Sequence, residues 1–380
     1  MRGRNSFLLA ASLLLAPGAS AQAAALYDLT NLGRGTANGI NAAGVVVGGL
    51  GASDAMRAFQ LEAGSISYLA DSHSVAEGIN DSGDIWGTTG RLLQTSGFIK
   101  VAGGEALLDT GSFFIQDVER YSSRVDAPAG LYTDMRLGAL DGRAAYDVLG
   151  CCVSFSTGSG AAANGRARAL NQAWTVTGQY DGQAFVAAFG TGPGSDYGPV
   201  QLLGTLGGAT STGTDINDQG VIVGHSKTMG GFDRAFVYAN GVMTNLGALD
   251  GVDLATPSSY AYAINNSGLI VGSSQVYAED ELFPSTRATL WRDGAVFDLN
   301  SFIDPALGFV LASAFAVNDS GHIVGEGYLR GDQQQRRYAF VLTPISSGAV
   351  PEPANWALMI SGFGLIGSVA RRQRRVLLAW

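Results

Sequence analysis

The chain has 380 residues, 46% of them hydrophobic and only 14% charged, with 54 glycines. That glycine share is about twice the usual ~7%, which excludes a helical bundle, while the apolar content excludes a disordered chain. A formal net charge of -9 leaves no bulk attraction to nucleic acid, which requires basic surface to displace counterions from phosphates.

Residues 1–23 read as a secretory signal peptide. Arg2 and Arg4 precede the apolar run from Phe7 to Ala16, Pro17-Gly18 ends it, and the small residues up to Ala23 suit signal peptidase, with Ala21 as the alternative cut.

A nine-residue phrase then recurs: residues 40–48 (INAAGVVVG), 79–87 (INDSGDIWG), 216–224 (INDQGVIVG), 264–272 (INNSGLIVG) and 317–325 (VNDSGHIVG). A sixth copy at 170–178 (LNQAWTVTG) keeps the Asn but places Trp174 where the others have Gly. The steps of 39, 91, 46, 48 and 53 residues, the long one reading as two periods, are those of a propeller-like array. Each phrase predicts a hairpin turn opened by Asn and completed by Gly at positive φ: Asn41 and Gly44, Asn80 and Gly83, Asn217 and Gly220, Asn265 and Gly268, Asn318 and Gly321.

In the copy at 214–247, Thr214–Ile216, Val221–Gly224, Arg234–Tyr238 and Val242–Gly247 give four strands, the content of one blade. The third-strand phrase recurs as Arg57-Ala58-Phe59, Gly97-Phe98-Ile99, Gln183 to Val186, Arg287 to Trp291 and Tyr338 to Val341. The ending of the fourth recurs at Leu137 to Gly142 as at Leu246 to Gly251, which makes residues 112–138 a degraded blade. The expected fold is therefore an all-β propeller of four-stranded blades over residues 26–343, seven with one degenerate, six being the alternative. Tyr27 to Gly33 matches the fourth strand Val242 to Gly247, and the last unit stops after its third strand. The N-terminus is thus expected to close the ring.

These units resemble the HAF-type extracellular repeat family, known by its Ile-Asn-x-x-Gly-x-Ile-Val-Gly turn and Ala-Phe strand. The resemblance implies no particular reaction.

Residues 344–350 read as a linker. Beyond it come Pro351-Glu352-Pro353, an uncharged run from Ala354 to Ala370 that includes Trp356, and the basic cluster Arg371, Arg372, Arg374 and Arg375. A helix over 354–370 would span about 25 Å, short for a ~30 Å bilayer core but workable with snorkelling flanks. The arginines stay cytoplasmic, placing the body of the chain across the membrane. Residues 351–375 resemble the PEP-CTERM sorting signal of Gram-negative bacteria, which implies processing by an exosortase, a transient membrane anchor, and delivery to the cell surface or extracellular matrix.

Chemistry is sparse between these addresses. His73, His225 and His322 occupy different places in the repeat and form no ring. The Asn-Asp turns lack the final acidic residue of a calcium loop, so Asn and Asp are expected to cap their own turns. Gly204 to Gly208 has no helix after it to cradle phosphate. Cys151 and Cys152 are adjacent, and neighbouring cysteines cannot staple distant blades. No catalytic, cofactor or metal residue is assigned. The expected role is a surface- or matrix-associated binding protein for extracellular polysaccharide or another envelope partner. The alternative is a glycan-active enzyme using channel carboxylates, for which Asp215 and Asp147 are candidates.

Overall fold

The computed structural model describes residues 26–345, apart from internal stretches of which the longest are 110–135, 157–164, 189–198, 251–256 and 277–284. The chain divides into two units, Met1–Thr343 and Pro344–Trp380. The signal peptide, Trp174 and the tail residues 351–375 lie outside the described residues. Among the described residues no helix is long and apolar enough to cross a membrane.

The described residues of the first unit form strands, with two short 3-10 turns. The strands in chain order are β1 (Tyr27–Ile40), β2 (Val46–Leu50), β3 (Arg57–Glu62), β4 (Ser65–Tyr68), β5 (Ser74–Ile79), β6 (Ile85–Arg91), β7 (Gln94–Lys100) and β8 (Leu108–Asp109). Then come β9 (Arg136–Leu137), the hairpin β10 (Arg143–Val148) and β11 (Cys151–Ser156), and β12 (Gly165–Leu170), β13 (Thr175–Tyr180), β14 (Gln183–Ala188) and β15 (Gln201–Gly204). The best-matched repeats give β16 (Gly207–Ile216), β17 (Ile222–Thr228), β18 (Asp233–Ala239) and β19 (Val242–Gly247), then β20 (Ser259–Ile264), β21 (Ile270–Val276), β22 (Ser285–Arg292) and β23 (Ala295–Asp298). The last three are β24 (Phe309–Val317), β25 (Ile323–Leu329) and β26 (Tyr338–Pro344).

The strands form antiparallel meanders: β5 to β8, β16 to β19, β20 to β23, and β12 to β15 with β9 added at its inner edge. Besides the two-stranded β10-β11 sheet, one sheet has seven strands in the order β24-β25-β26-β1-β2-β3-β4. It is two blades sharing one strand, since β1 serves as the outer strand of the last blade and the inner strand of the first. Ring closure by the N-terminus, expected from Tyr27 to Gly33, takes this form.

In five of the six phrases the last Gly stands opposite the third-strand aromatic: Gly48 faces Phe59, Gly87 faces Phe98, Gly178 faces Phe185, Gly224 faces Phe236 and Gly325 faces Phe340, while Gly272 faces Thr289. A Cβ on Gly224 would overlap the Thr212 carbonyl oxygen and crowd the Phe236 ring at 3.0 Å. Phe59, Phe185, Phe236 and Phe340 are fully buried through this arrangement.

The core is divided among the gaps between neighbouring sheets. Five such clusters occur among the described residues, one of which joins Ala316, Val324 and Val341 of the last blade to Ala37, Val46 and Phe59 of the first. Sheets packed face to face in cyclic order, with β1, β5, β12, β16, β20 and β24 innermost around one cavity, are the arrangement of a β-propeller.

One expectation fails in detail. Arg136–Leu137, read as ending a blade of its own, pairs instead with Arg166 and Gly165 of β12. The hairpin of β10 and β11 stands between them in sequence, with Asp147 opposite Cys152 and Val148 opposite Cys151. The side chains of Asp147, Cys151 and Cys152 lie outside what is described.

Candidate functional site: the axial channel

The repeated Asn does two jobs. Its Oδ1 accepts the backbone N–H four residues on, as Asn41 does from Val45 at 2.9 Å and Asn318 from His322 at 2.9 Å, while Gly44, Gly220, Gly268 and Gly321 take φ near +80° to complete the turn. In five of the six its Nδ2 leaves the turn altogether and donates to the backbone carbonyl of the next blade's Asn, whereas Asn80 Nδ2 donates to Asp84 Oδ2 of its own turn at 2.9 Å. The links run Asn41 to Asn80 (3.2 Å), Asn171 to Asn217 (3.0 Å), Asn217 to Asn265 (3.2 Å), Asn265 to Asn318 (3.0 Å) and Asn318 back to Asn41 (3.0 Å). All six asparagines are at least 94% buried, so each such bond satisfies groups that solvent cannot. Asn171, in the copy that has Trp174 in place of Gly, keeps both functions.

A second ring lies outside the first. The N–H of Ala42 donates to Asp81 Oδ1 (2.7 Å), that of Gln172 to Asp218 (3.0 Å), that of Asp218 to Asn266 (2.9 Å) and that of Asn266 to Asp319 (2.8 Å). This corrects the expectation that the aspartates cap their own turns: Asp81, Asp218 and Asp319 accept from the neighbouring blade. Among the described residues no three His, Cys, Asp or Glu side chains come together as metal ligands.

Within these rings is a cavity of about 160 Å³, lined by turn residues and by Asn38, Glu77, Trp86 and Asp215. Asp215, expected as a channel carboxylate, is there. It occupies a place held by Gly39, Gly78, Ala169, Ala263 and Ala316 in the other blades, and accepts from the N–H groups of Ile216 (3.0 Å) and Ile264 (2.9 Å).

Three residues before each Asn, the inner strand bulges. The ladder skips Asn38, Glu77, Arg168, Thr214, Tyr262 and Phe315, leaving one extra residue per blade at equivalent places. All six are half-buried, and Asn38 and Glu77 line the cavity. Asn38 Nδ2 and Thr214 Oγ1 reach the inner strands of the next blades, at Ala76 O (2.9 Å) and Ala261 O (2.7 Å). These residues were not singled out from the sequence. Their signal is there, as a variable residue three places before each repeated Asn.

On one side this tier is aromatic. Tyr262 meets Phe315 at 5.7 Å between centroids, Tyr260 stacks on Tyr262 (6.4 Å, 8° between planes), and His225 stands edge-on to Tyr260 at 5.2 Å. Tyr260 donates to Asp233 (3.0 Å), which Lys227 also holds at 2.7 Å, and Tyr262 shares a hydrogen bond with Ser273 (3.1 Å). Burial, then the Asp233 carboxylate, pushes the Tyr260 phenol up to about 12. Burial pushes His225 down to about 4, against the pull of Asp233. His225 is therefore a neutral imidazole, and its Nδ1 has no hydrogen-bond partner. As expected, the three histidines do not converge: His322 is in the last turn, and His73, at φ +69°, precedes β5.

Comparison with known proteins bears first on the end of the chain. A family described as the PEP-CTERM protein-sorting motif matches residues 349–375. The tail is a PEP-CTERM sorting signal. Such a signal implies export and processing by an exosortase. Residues 206–350 match a family described as a protein of unknown function, DUF3466. No curated protein matches.

Similar solved structures include the β-propeller domain of the Trilobed protease from Pyrococcus furiosus, at 10% identity and a TM-score of 0.49 over 81% of this chain and 95% of that one. TolB from Acinetobacter baumannii is similar at 10% identity and TM-score 0.36, over 84% and 55% of the two chains. The acylaminoacyl peptidase of Pyrococcus horikoshii is similar at 10% identity and TM-score 0.41, over 78% and 49%. This chain spans about half the length of the last two.

Proposed function

We propose that this PEP-CTERM protein is a non-enzymatic binding module of the cell surface or extracellular matrix, a propeller of HAF-type repeats that takes polysaccharide through its axial channel. Seven blades, the degenerate one including the hairpin of β10 and β11, suit the doubled period between residues 79 and 170. In this reading signal peptidase removes residues 1–23, the helix over 354–370 anchors the chain briefly, and exosortase releases it.

The observation that carries the binding role is the bulge tier. A repeat array keeps its scaffold positions alike, and Ile, Asn and Gly recur in blade after blade, whereas the bulged residue is Asn, Glu, Arg, Thr, Tyr or Phe. Varied side chains at equivalent places on the innermost strands, one per blade, are the pattern of a recognition surface on a fixed frame. Tyr260, Tyr262 and Phe315 offer flat apolar rings beside hydroxyl and carboxylate groups, which suits sugar rings with their apolar faces and polar rims.

A glycan array probed with the exported protein, alongside Phe315→Ala and Thr214→Val variants, tests the reading. Binding to a defined glycan that Phe315→Ala weakens by about tenfold or more, with folding intact by circular dichroism, is the expected result. Binding that neither variant alters would place the ligand elsewhere.

A further inference from the structure

The first strand is two half-strands in series. Residues 35–40 pair with β2 and bury Gly35, Ala37, Gly39 and Ile40. Along Leu26 to Arg34, the part that completes the last blade, no residue is buried. Between the halves stands Gly33-Arg34-Gly35, with φ of +105° at Gly33 and +139° at Gly35, values that only glycine adopts readily. Arg34 between them is exposed. A Cβ on Gly33 would touch nothing within 4 Å, so this glycine serves backbone conformation alone.

The outer half is lightly held. Leu26 N donates to Phe302 O at 2.9 Å and Gly35 N to Arg337 O at 3.0 Å, at the two ends of the ladder with β26. Tyr27 and Leu29 rest against the core between the last two blades, and Leu32 against the next core. Three half-buried apolar side chains on a glycine-flanked hinge place this segment at the low-stability end of the domain.

We propose that Leu26–Gly33 is an exchangeable clasp, and that two copies of this chain associate by each seating its clasp on β26 of the other. Every bond and apolar contact the clasp makes within one copy exists identically on the second, so exchange loses no contact and alters only the hinge. A hinge of three residues favours the exchange, because a short connection holds the closed form under constraint that the extended form relaxes. The vacated edge of β26 is an unpaired strand flanked by apolar side chains, and the sequence it accepts is the Tyr-Asp-Leu-Thr-Asn-Leu-Gly of this chain. In a matrix protein concentrated at a surface, such pairing joins one ring to another through a segment already present.

The test uses the full chain in two isotopic forms, unfolded and refolded together across about two decades of concentration and read by native mass spectrometry. Mixed dimers should rise with concentration and persist on dilution. Inserting about six Gly/Ser residues between Gly33 and Arg34 keeps every clasp contact while letting the strand fold back freely, and should cut mixed dimers about tenfold. Leu29→Asp, which removes an anchor, should also abolish them. The tail is the same in every variant, so association through it would be unchanged by the insertion. Absence of mixed dimers at every concentration, or equal amounts in the insertion variant, would overturn the proposal.

Discussion

Substitution of Asn265 isolates the contribution of the inter-blade ring. Its Oδ1 accepts from Leu269 N at 2.9 Å and its Nδ2 donates to Asn318 O at 3.0 Å, both in buried surroundings. Asn265→Ala orphans the Leu269 N–H, at about 1–3 kcal/mol, and takes the acceptor from the Ser267 N–H and hydroxyl, while the Asn318 carbonyl loses one bond of about 1 kcal/mol and keeps the Gly321 N–H at 3.0 Å. Water entering from the channel mouth recovers part of this, so a loss of about 3 kcal/mol is expected. With an unfolding entropy of about 2.1 cal/mol/K per residue over roughly 320 residues, that lowers Tm by roughly 4 °C. Asn265→Asp keeps the acceptor for Leu269 N but sets a carboxylate oxygen against the Asn318 carbonyl. It should be comparably destabilised at pH 7 and recover on acidification, when the protonated acid can donate as the amide does. Differential scanning calorimetry of both variants at pH 7 and 4 gives the comparison. A loss under about 1 °C for Asn265→Ala would refute the assigned role.

Three further outcomes are expected. The folded chain holds His225 at about 4 against 6.5 when unfolded, so the unfolded chain binds more protons between those values; stability is present in full above about pH 6.5 and lost as pH falls through 4, by about 3 kcal/mol in all. His225→Gln should remove that share of the acid sensitivity in urea titrations at pH 4 and 7, and an unchanged slope would contradict it. Gly268→Val, at φ +82° with open space around its Cβ, should cost about 1–2 kcal/mol of backbone strain, whereas Gly272→Ala should cost more because its Cβ meets the Tyr260 carbonyl; equal melts would refute the distinction. For the tail, a chain with Pro351→Ala and Pro353→Ala should stay membrane-bound while the parent is released ending near 351–353, and an intact mass of the released parent that still includes Trp356 to Trp380 would mean a permanent anchor.

What the sequence disclosed divides by distance along the chain. The turns were legible because their chemistry closes within five residues: Asn41 bonds to Val45, and Gly44 returns the chain. The shared strand was legible too, since Tyr27 to Gly33 repeats the wording of Val242 to Gly247. The inter-blade bond of each Nδ2 that leaves its turn was not, because the partner lies 39 to 53 residues away, or 277 for Asn318, and nothing local distinguishes a side chain that bonds twice. For the same reason Asp81 and Asp218 looked like caps of their own turns. The bulges were hidden in the register between strands, where Tyr262 and Phe315 read as ordinary strand residues. Arg136–Leu137 was misplaced because the matching phrase, Leu137 to Gly142, does not say which edge its strand joins.

The asparagine ring also decides where this architecture can change. Successive linked asparagines are 39, 46, 48 and 53 residues apart, yet their bonds all measure 3.0–3.2 Å. Added length therefore never reaches the turn mouth; in the last blade it is taken up by the 3-10 turns at Leu299–Phe302 and Pro305–Leu307, before β24 begins. One rim works as a fixed hub, cut to a single gauge. The far rim is free ground on which insertions can be tried without loosening the wheel.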